Sequence, residues 1–287
     1  CIDCGMCIRV CRNHAKKAVT DNLKKIQNYN YRVAIPAPSL YSQFKKVNDL
    51  NIILTAIKRL GFDEVFEVAK AAEMVTDEII KYYNENLEKI KRPMISSACP
   101  VIIRLITMRF PSLIENITPI LPPMEIAAIV AKNYLVSLGL KRHDIGVFFI
   151  SPCAAKKTNT LNPLGIEKSE VDGVISISDV YMKMRNIISN LPPEEVEIML
   201  ESTPKGVDWA LTGGERKGVK IDNAIAVDGL EDVIKVFEEI ENGQLTDVDY
   251  VEALTCIGGC VGGPLTLTNS FVARTTLEKI HNYSKNL

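Results

Sequence analysis

Eight cysteines, in two sets of four, constrain this chain of 287 residues more than any other feature. Cys1, Cys4, Cys7 and Cys11 form a tight run, C-I-D-C-G-M-C-I-R-V-C, whereas Cys99, Cys153, Cys256 and Cys260 are scattered. Four thiolates are what one cubane iron–sulfur cluster requires. Disulfides account for the pattern less well: they frame small secreted domains, and this chain is far longer, with clustered cysteines. Zinc fits the run poorly, because zinc sites pair two close cysteines with two distant ligands. With 47% hydrophobic and 24% charged residues, the composition is that of a soluble globular protein of one or two domains. A net charge of −1 gives no reason to expect nucleic acid or a membrane as partner, and no uninterrupted apolar stretch reaches the roughly 18 residues of a spanning helix.

The spacing of the N-terminal run is that of bacterial ferredoxins, in which the fourth Cys ligates the other of two clusters. Cys1, Cys4 and Cys7 are therefore expected to hold one 4Fe-4S cluster. Cys11 would serve a second, whose remaining ligands would lie in an upstream run. Arg12 stands where such runs usually carry Pro. Residues 1–30 read as a partial ferredoxin-like segment, with 14–30 a short helix and linker, and residues 31–287 as the main domain.

From residue 31 the pattern alternates between strand and helix. Strands are expected at 32–37, 64–68, 93–97, 144–150, 174–177, 224–227 and 248–253, with 117–121 extended. Helices are expected at 50–60, after 68, and at 101–110, 123–139 and 178–190. Another follows Asp228, which is expected to cap it, and ends before Gly243. Residues 158–170 read as a loop. This alternation predicts an α/β fold with a mostly parallel sheet flanked by helices. Ligands of such sheets sit beyond the carboxyl ends of the strands. Cys99, Cys153 and Cys256 each follow a predicted strand end by a few residues. Buried free cysteine is often only a small hydrophobe, but several strand ends delivering Cys to one edge is a pattern core packing does not require. His14, His143 and His281 lie in polar or terminal stretches and read as surface residues.

The scattered cysteines sit in S-S-A-C-P (96–100), S-P-C-A-A-K-K (151–157) and E-A-L-T-C-I-G-G-C-V-G-G (252–263). Gly258 and Gly259 permit a tight turn and close approach of backbone to a bulky group. These motifs resemble, in order, the three signatures of the [FeFe]-hydrogenase large-subunit catalytic domain: T-S-C-C-P, M-P-C-x-x-K and E-x-M-x-C-x-G-G-C. W-A-L-T-G-G-E (209–215) is similar to that family's Gly-Gly segment, and the resemblance covers nearly the whole chain. It implies the family's two-lobed domain and its H-cluster, a cubane joined through one cysteine to a diiron unit carrying CO, CN⁻ and a bridging dithiolate. By position, Cys99, Cys153, Cys256 and Cys260 would ligate the cubane, with Cys260 bridging. Lys156 would hydrogen-bond a cyanide, a charge-assisted pair.

Several positions depart from the family pattern. Ala98 stands where the catalytic enzymes have the proton-relaying first Cys of T-S-C-C-P. Ser151 and Leu254 replace two methionines that pack on the cofactor. Asn159 replaces a Glu of the proton path, and Pro122 takes the place of a Ser. Losing a positioned acid–base group typically costs about 10²- to 10⁴-fold in rate. These substitutions are typical of the family's sensory branch, which implies low-rate reversible H2 cleavage serving hydrogen or redox sensing. The expected partners are H2 and protons, and a ferredoxin-like electron carrier or a downstream signalling domain; a homodimer is admitted. The setting implied is an anaerobic cytoplasm. A ferredoxin-linked bidirectional hydrogenase, and a non-catalytic 4Fe-4S protein of cluster assembly or electron transfer, are the alternatives.

Overall fold

Strands buried on both faces read as unbroken apolar runs, and I-G-V-F-F-I-S is one: all seven residues of Ile145–Ser151 are buried. In the computed structural model, which describes residues 1–13 and 15–284 with side chains to 280, this strand is central to the larger of two sheets. His14 and the side chain of His281 lie outside the described residues. The strands are β1 (Tyr31–Pro36), β2 (Glu64–Val65), β3 (Met94–Ile95), β4 (Ile145–Ser151), β5 (Gly173–Ser176), β6 (Ala224–Asp228) and β7 (Tyr250–Leu254). One sheet has the order β2-β1-β4-β5 and the other β3-β7-β6, and every pairing is parallel. The helices are α1 (Met6–Val10), α2 (Leu50–Lys58), α3 (Val68–Glu85), α4 (Pro100–Arg109), α5 (Pro123–Ser137), α6 (Ala154–Leu161), α7 (Ile177–Ser189), α8 (Pro204–Val207), α9 (Gly214–Val219), α10 (Leu230–Glu241) and α11 (Ser270–Ser284). None of the described helices is long and apolar enough to cross a membrane.

Side-chain alternation sorts each sheet into two packed faces. Ala34, Phe148 and Ile150 pack with Leu54 of α2 and Val180 of α7, while Val33, Ile35, Val147 and Phe149 pack with Ala128 and Leu135 of α5. In the smaller sheet, Val251 and Ala253 meet α4 and α10, where the Phe110 and Phe237 rings cross edge to face at 5.5 Å. On its other face Met94 and Tyr250 pack on Val75 and Ile79 of α3. Helix α3 thus serves both sheets, since its Val68 and Ala71 belong to the core of the larger one.

The ends of α5 and α10 follow the glycine signal. Gly139 and Gly243 have φ of 95° and 67°, and Leu140 and Gln244 donate back to Leu135 and Glu239. That six-to-one bond is the Schellman stop. Other expectations need correction. Residues 158–170 are not all loop, because α6 extends to Leu161; only Ala155 and Asn159 of it are buried, too short an apolar face to show in the sequence. Strand pairing at 64–68 stops at Val65, and Val68 already begins α3. The 117–121 segment contributes a single bridge, Ile95 to Ile117. Asp228 does not cap α10: the N-cap is Gly229, with no side-chain cap bond.

The carboxyl ends of both sheets meet where the segments after β4 and β7 touch. Leu265 N donates to Pro152 O at 3.0 Å, and a Cβ on Gly263 would lie 2.3 Å from that same oxygen. Gly263→Ala is accordingly expected to destabilise the protein by about 1–3 kcal/mol. A lower urea midpoint in the cluster-free protein would show it; an unchanged midpoint would mean the seam can open without cost.

Candidate cluster site

All four scattered cysteines line one apolar cavity between the two sheets, with about 950 Å³ of empty space including its open mouth. Each arrives by a strand end. Cys99 lies four residues beyond β3 and occupies the N-cap of α4, ahead of Pro100. Cys153 lies two beyond β4 and occupies the N-cap of α6. Cys256 lies two beyond β7, and Cys260 opens the turn Cys260–Gly262. Gly258 and Gly259, at φ of 83° and 92°, shape the chain between them. A Cβ on Gly259 would stand 2.7 Å from Ala210 O and Thr212 N, so the 209–215 segment is the floor on which this turn rests.

The thiols feel one another. Burial pushes Cys153 up to about 11 and Cys260 up to about 12, with the neighbouring cysteines adding to both. Cys256 is raised well above the ordinary thiol range by burial and then by Cys153, Cys99 and Cys260. Burial thus favours the protonated form of Cys153, Cys256 and Cys260, and thiolate ligation of a metal would release those protons. Among the described residues no three His, Cys, Asp or Glu side chains stand close enough to hold a single ion. Four thiols around a roomy cavity suit a bulky cluster better than one zinc. Thr255 Oγ1 lies 3.6 Å from Cys99 Sγ.

Lys156 also lines the cavity, and its Nζ donates to Ala98 O at 2.9 Å. Ala98 and Leu254 are on the wall. Ser151 is not: its hydroxyl turns to the main chain of Cys153, accepting from N and donating to O at 3.0 Å each. It shapes the cysteine turn instead of meeting the cavity. A second cavity, of about 1080 Å³ including open space, shares Ala98, Pro100 and Lys156 with the first. Asn159 and Pro122 line it, and among the described residues no Asp, Glu, His or Cys does. His143 is exposed at the surface, beside Asp144.

Glu215 and Glu252 stand within W-A-L-T-G-G-E and E-A-L-T-C-I-G-G-C, where motif spacing alone assigns them no role. Both are almost fully buried and both line the cavity. Glu252 accepts from Gly213 N and Arg216 N at 2.9 and 2.8 Å. Glu215 accepts from Ser96 Oγ at 2.7 Å and Tyr250 OH at 2.5 Å. Burial raises both carboxyls above the usual range, and the charge of Glu252 raises Glu215 further. The available signal was a Glu inside the otherwise apolar strand Y-V-E-A-L, which a buried strand tolerates only with partners.

The N-terminal run lies against this site. Cys4 lines the main cavity, Ile2 packs in the core cluster that includes Cys99, and Gly5 presses on the Pro264 ring. Asp3 pairs with Arg104 of α4. Cys1 and Cys7 are exposed, and Cys4 and Cys11 half-buried.

Residues 30–221 and 215–264 match the family described as iron only hydrogenase large subunit, C-terminal domain. The NADP-reducing hydrogenase subunit HndD of Solidesulfovibrio fructosivorans is 25% identical, over 92% of this chain and 55% of its own length. Iron hydrogenase 1 of Clostridium pasteurianum is 23% identical, over 74% of this chain and 44% of its own. The chain thus spans about half the length of these curated relatives. Its fold superposes on a variant of [FeFe]-hydrogenase HydA1 from Chlamydomonas reinhardtii with a TM-score of 0.68 at 19% identity, covering 92% of this chain and 87% of that one. A structure described as stepwise [FeFe]-hydrogenase H-cluster assembly in HydA(deltaEFG) gives a TM-score of 0.68 at 18% identity, over 92% and 88%. Two matched segments that together span most of the sequence make this chain a member of the iron-only hydrogenase large-subunit family, in its C-terminal domain.

Proposed function

We propose that this chain binds an H-cluster and interconverts H2 with protons and electrons at a low rate, as a sensor of hydrogen or redox state. The observation that carries the reading is the convergence of Cys99, Cys153, Cys256 and Cys260, from strand ends of both sheets, on one apolar cavity that Lys156 also lines. These cysteines would hold the cubane, Cys260 bridging to the diiron unit. Lys156 would offer its ammonium to a cyanide, a donor a cubane-only site has no use for. The bound group supplies the heterolytic splitting of H2. Cys1, Cys4, Cys7 and Cys11 would hold accessory clusters that pass electrons on, and Cys4 already borders the same cavity. The output would be an electron to a ferredoxin-like carrier or a signal to a further domain, in an anaerobic cytoplasm.

Low rate follows from the proton side. Ala98 has no proton to give, and among the described residues the cavity behind it offers only Lys156 as an ionisable lining group. What remains on the cavity wall is the carboxyl pair. Burial raises both carboxyls, and the charge of Glu252 raises Glu215 further, which favours a proton on Glu215. The ionised Glu215 accepts from Ser96 Oγ and Tyr250 OH, and a proton taken up by either oxygen would reverse one of those bonds, the carboxyl then donating to that hydroxyl. A carboxyl in this position can exchange a proton with the cavity, by a route other than the missing thiol.

An infrared spectrum of anaerobically matured protein tests the whole reading. Sharp CO and CN⁻ bands that shift under H2 are expected. Their absence in protein with a full iron complement would leave a cubane-only protein of assembly or electron transfer. Ala98→Cys is expected to raise H2 turnover toward the roughly 10²-fold that a positioned acid–base group supplies; a flat rate in fully loaded protein would mean proton relay does not limit it.

The carboxyl pair has a separate signature. A carboxyl whose pKa is raised in the folded state contributes full stability below its unfolded value, and that contribution is lost as pH rises through the folded value. Cluster-free protein is therefore expected to unfold at a lower urea concentration at about pH 9 than at about pH 6. Glu215→Gln is expected to flatten that slope, and in loaded protein to cut turnover about 10²-fold at unchanged iron content. Unaltered slope and rate would remove the pair from the proton route.

A further inference from the structure

The carboxylate of Asp228 has no helix to cap. It ends β6, and one of its oxygens, Oδ2, accepts from Gly258 N at 2.9 Å and from the hydroxyl of Thr212. Gly258 lies midway between Cys256 and Cys260. Its own carbonyl accepts from Thr212 N at 3.3 Å. Asp228 and Thr212 therefore grip the same residue of the turn through its N–H and its C=O. At φ of 83° the direction of that N–H is set by a left-handed backbone, which Gly adopts without cost. Asp228 is also near enough to Glu252 for its charge to raise that carboxyl.

Two electrostatic consequences point the same way. Backbone N–H groups around an iron–sulfur cluster raise its reduction potential when they donate to sulfur. An N–H committed to a carboxylate is withdrawn from that role. The carboxylate also brings a negative charge beside the turn that presents two of the four cysteines, and a negative charge opposes the addition of an electron. We propose that Asp228 is a positioning residue for the cubane ligands, which fixes the Cys256–Cys260 turn through Gly258 N and holds the cluster at a low potential. This rests on the reading that Cys99, Cys153, Cys256 and Cys260 hold a cubane, and not on the presence of a diiron unit.

The test uses the full chain, reconstituted with iron and sulfide alone, with Cys4→Ser and Cys7→Ser added so that the N-terminal run is silent. The cubane signal is followed by electron paramagnetic resonance during a redox titration. Asp228→Asn keeps an oxygen for Gly258 N and removes the charge. It is expected to retain its iron and to favour the reduced cluster about tenfold more, a rise of about 59 mV for one electron. Asp228→Ala is expected to show the same direction of shift and faster loss of iron to a chelator. Thr212→Val removes one donor and keeps the charge, so its midpoint should stay at or below the parent value. An Asp228→Asn midpoint equal to the parent's, or a rise in Thr212→Val, would overturn the charge assignment. Iron loss from Asp228→Ala at the parent rate would overturn the positioning role. A parent protein that takes up iron and sulfide but shows neither the visible absorption of an oxidised cubane nor, on reduction, its paramagnetic signal would sink the cluster reading, and this proposal with it.

Discussion

Main chain packed on main chain is the constraint on which the rest of this structure depends. Where the two sheets meet, Gly263 lies on the carbonyl of Pro152, and Gly259 on the peptides of residues 210–212. Neither contact leaves room for a side chain. The same is true of Gly214 against Asp208 O and Gly206 against Ala69 O, where a Cβ would stand 1.9 and 2.1 Å away. Interiors at this density respond to added volume by shifting whole segments. Cys153, Cys256 and Cys260 sit within a few residues of the first two contacts, so the seam that joins the sheets also sets the spacing of these three thiols.

The fold and the site were legible in the sequence to different depths. Buried parallel strands announce themselves, and I-G-V-F-F-I-S could be little else; the glycines after α5 and α10 gave their stops. Weak signals lost detail where tertiary contacts decide: α6 has too narrow an apolar face to be read, and the expected strands at 64–68 and 93–97 exist but pair over only two residues each. Asp228 misled because a carboxylate before a helix is usually a cap, whereas its partners, Thr212 and Gly258, are distant in sequence. Ser151 shows the same local logic, since a hydroxyl beside a main-chain turn bonds there, to the backbone of Cys153. The cysteines were legible because thiol chemistry depends on residue type. Glu215 and Glu252 were not, because their significance arises from burial beside each other.

The charged groups around the cavity are joined by short hydrogen-bonded steps. Lys156 Nζ donates to Ala98 O, Ala98 N donates to Ser96 Oγ at 3.2 Å, and Ser96 Oγ donates to Glu215. Glu215 and Glu252 line the same cavity, with Asp228 near enough to raise Glu252. On the proposed reading, the lysine that would meet an anionic ligand and a carboxyl that would carry protons are thus tied to one segment, residues 96–98.

Helix α4 begins directly after Cys99, and Arg104 within it is paired with Asp3 of the N-terminal run. On the proposed reading, one rigid rod would have a cubane ligand at its start and, little more than a turn along, a tether to the cysteine run that would hold the accessory clusters. Electron tunnelling falls steeply with distance, and such a rod would act as a ruler for the gap between donor and acceptor.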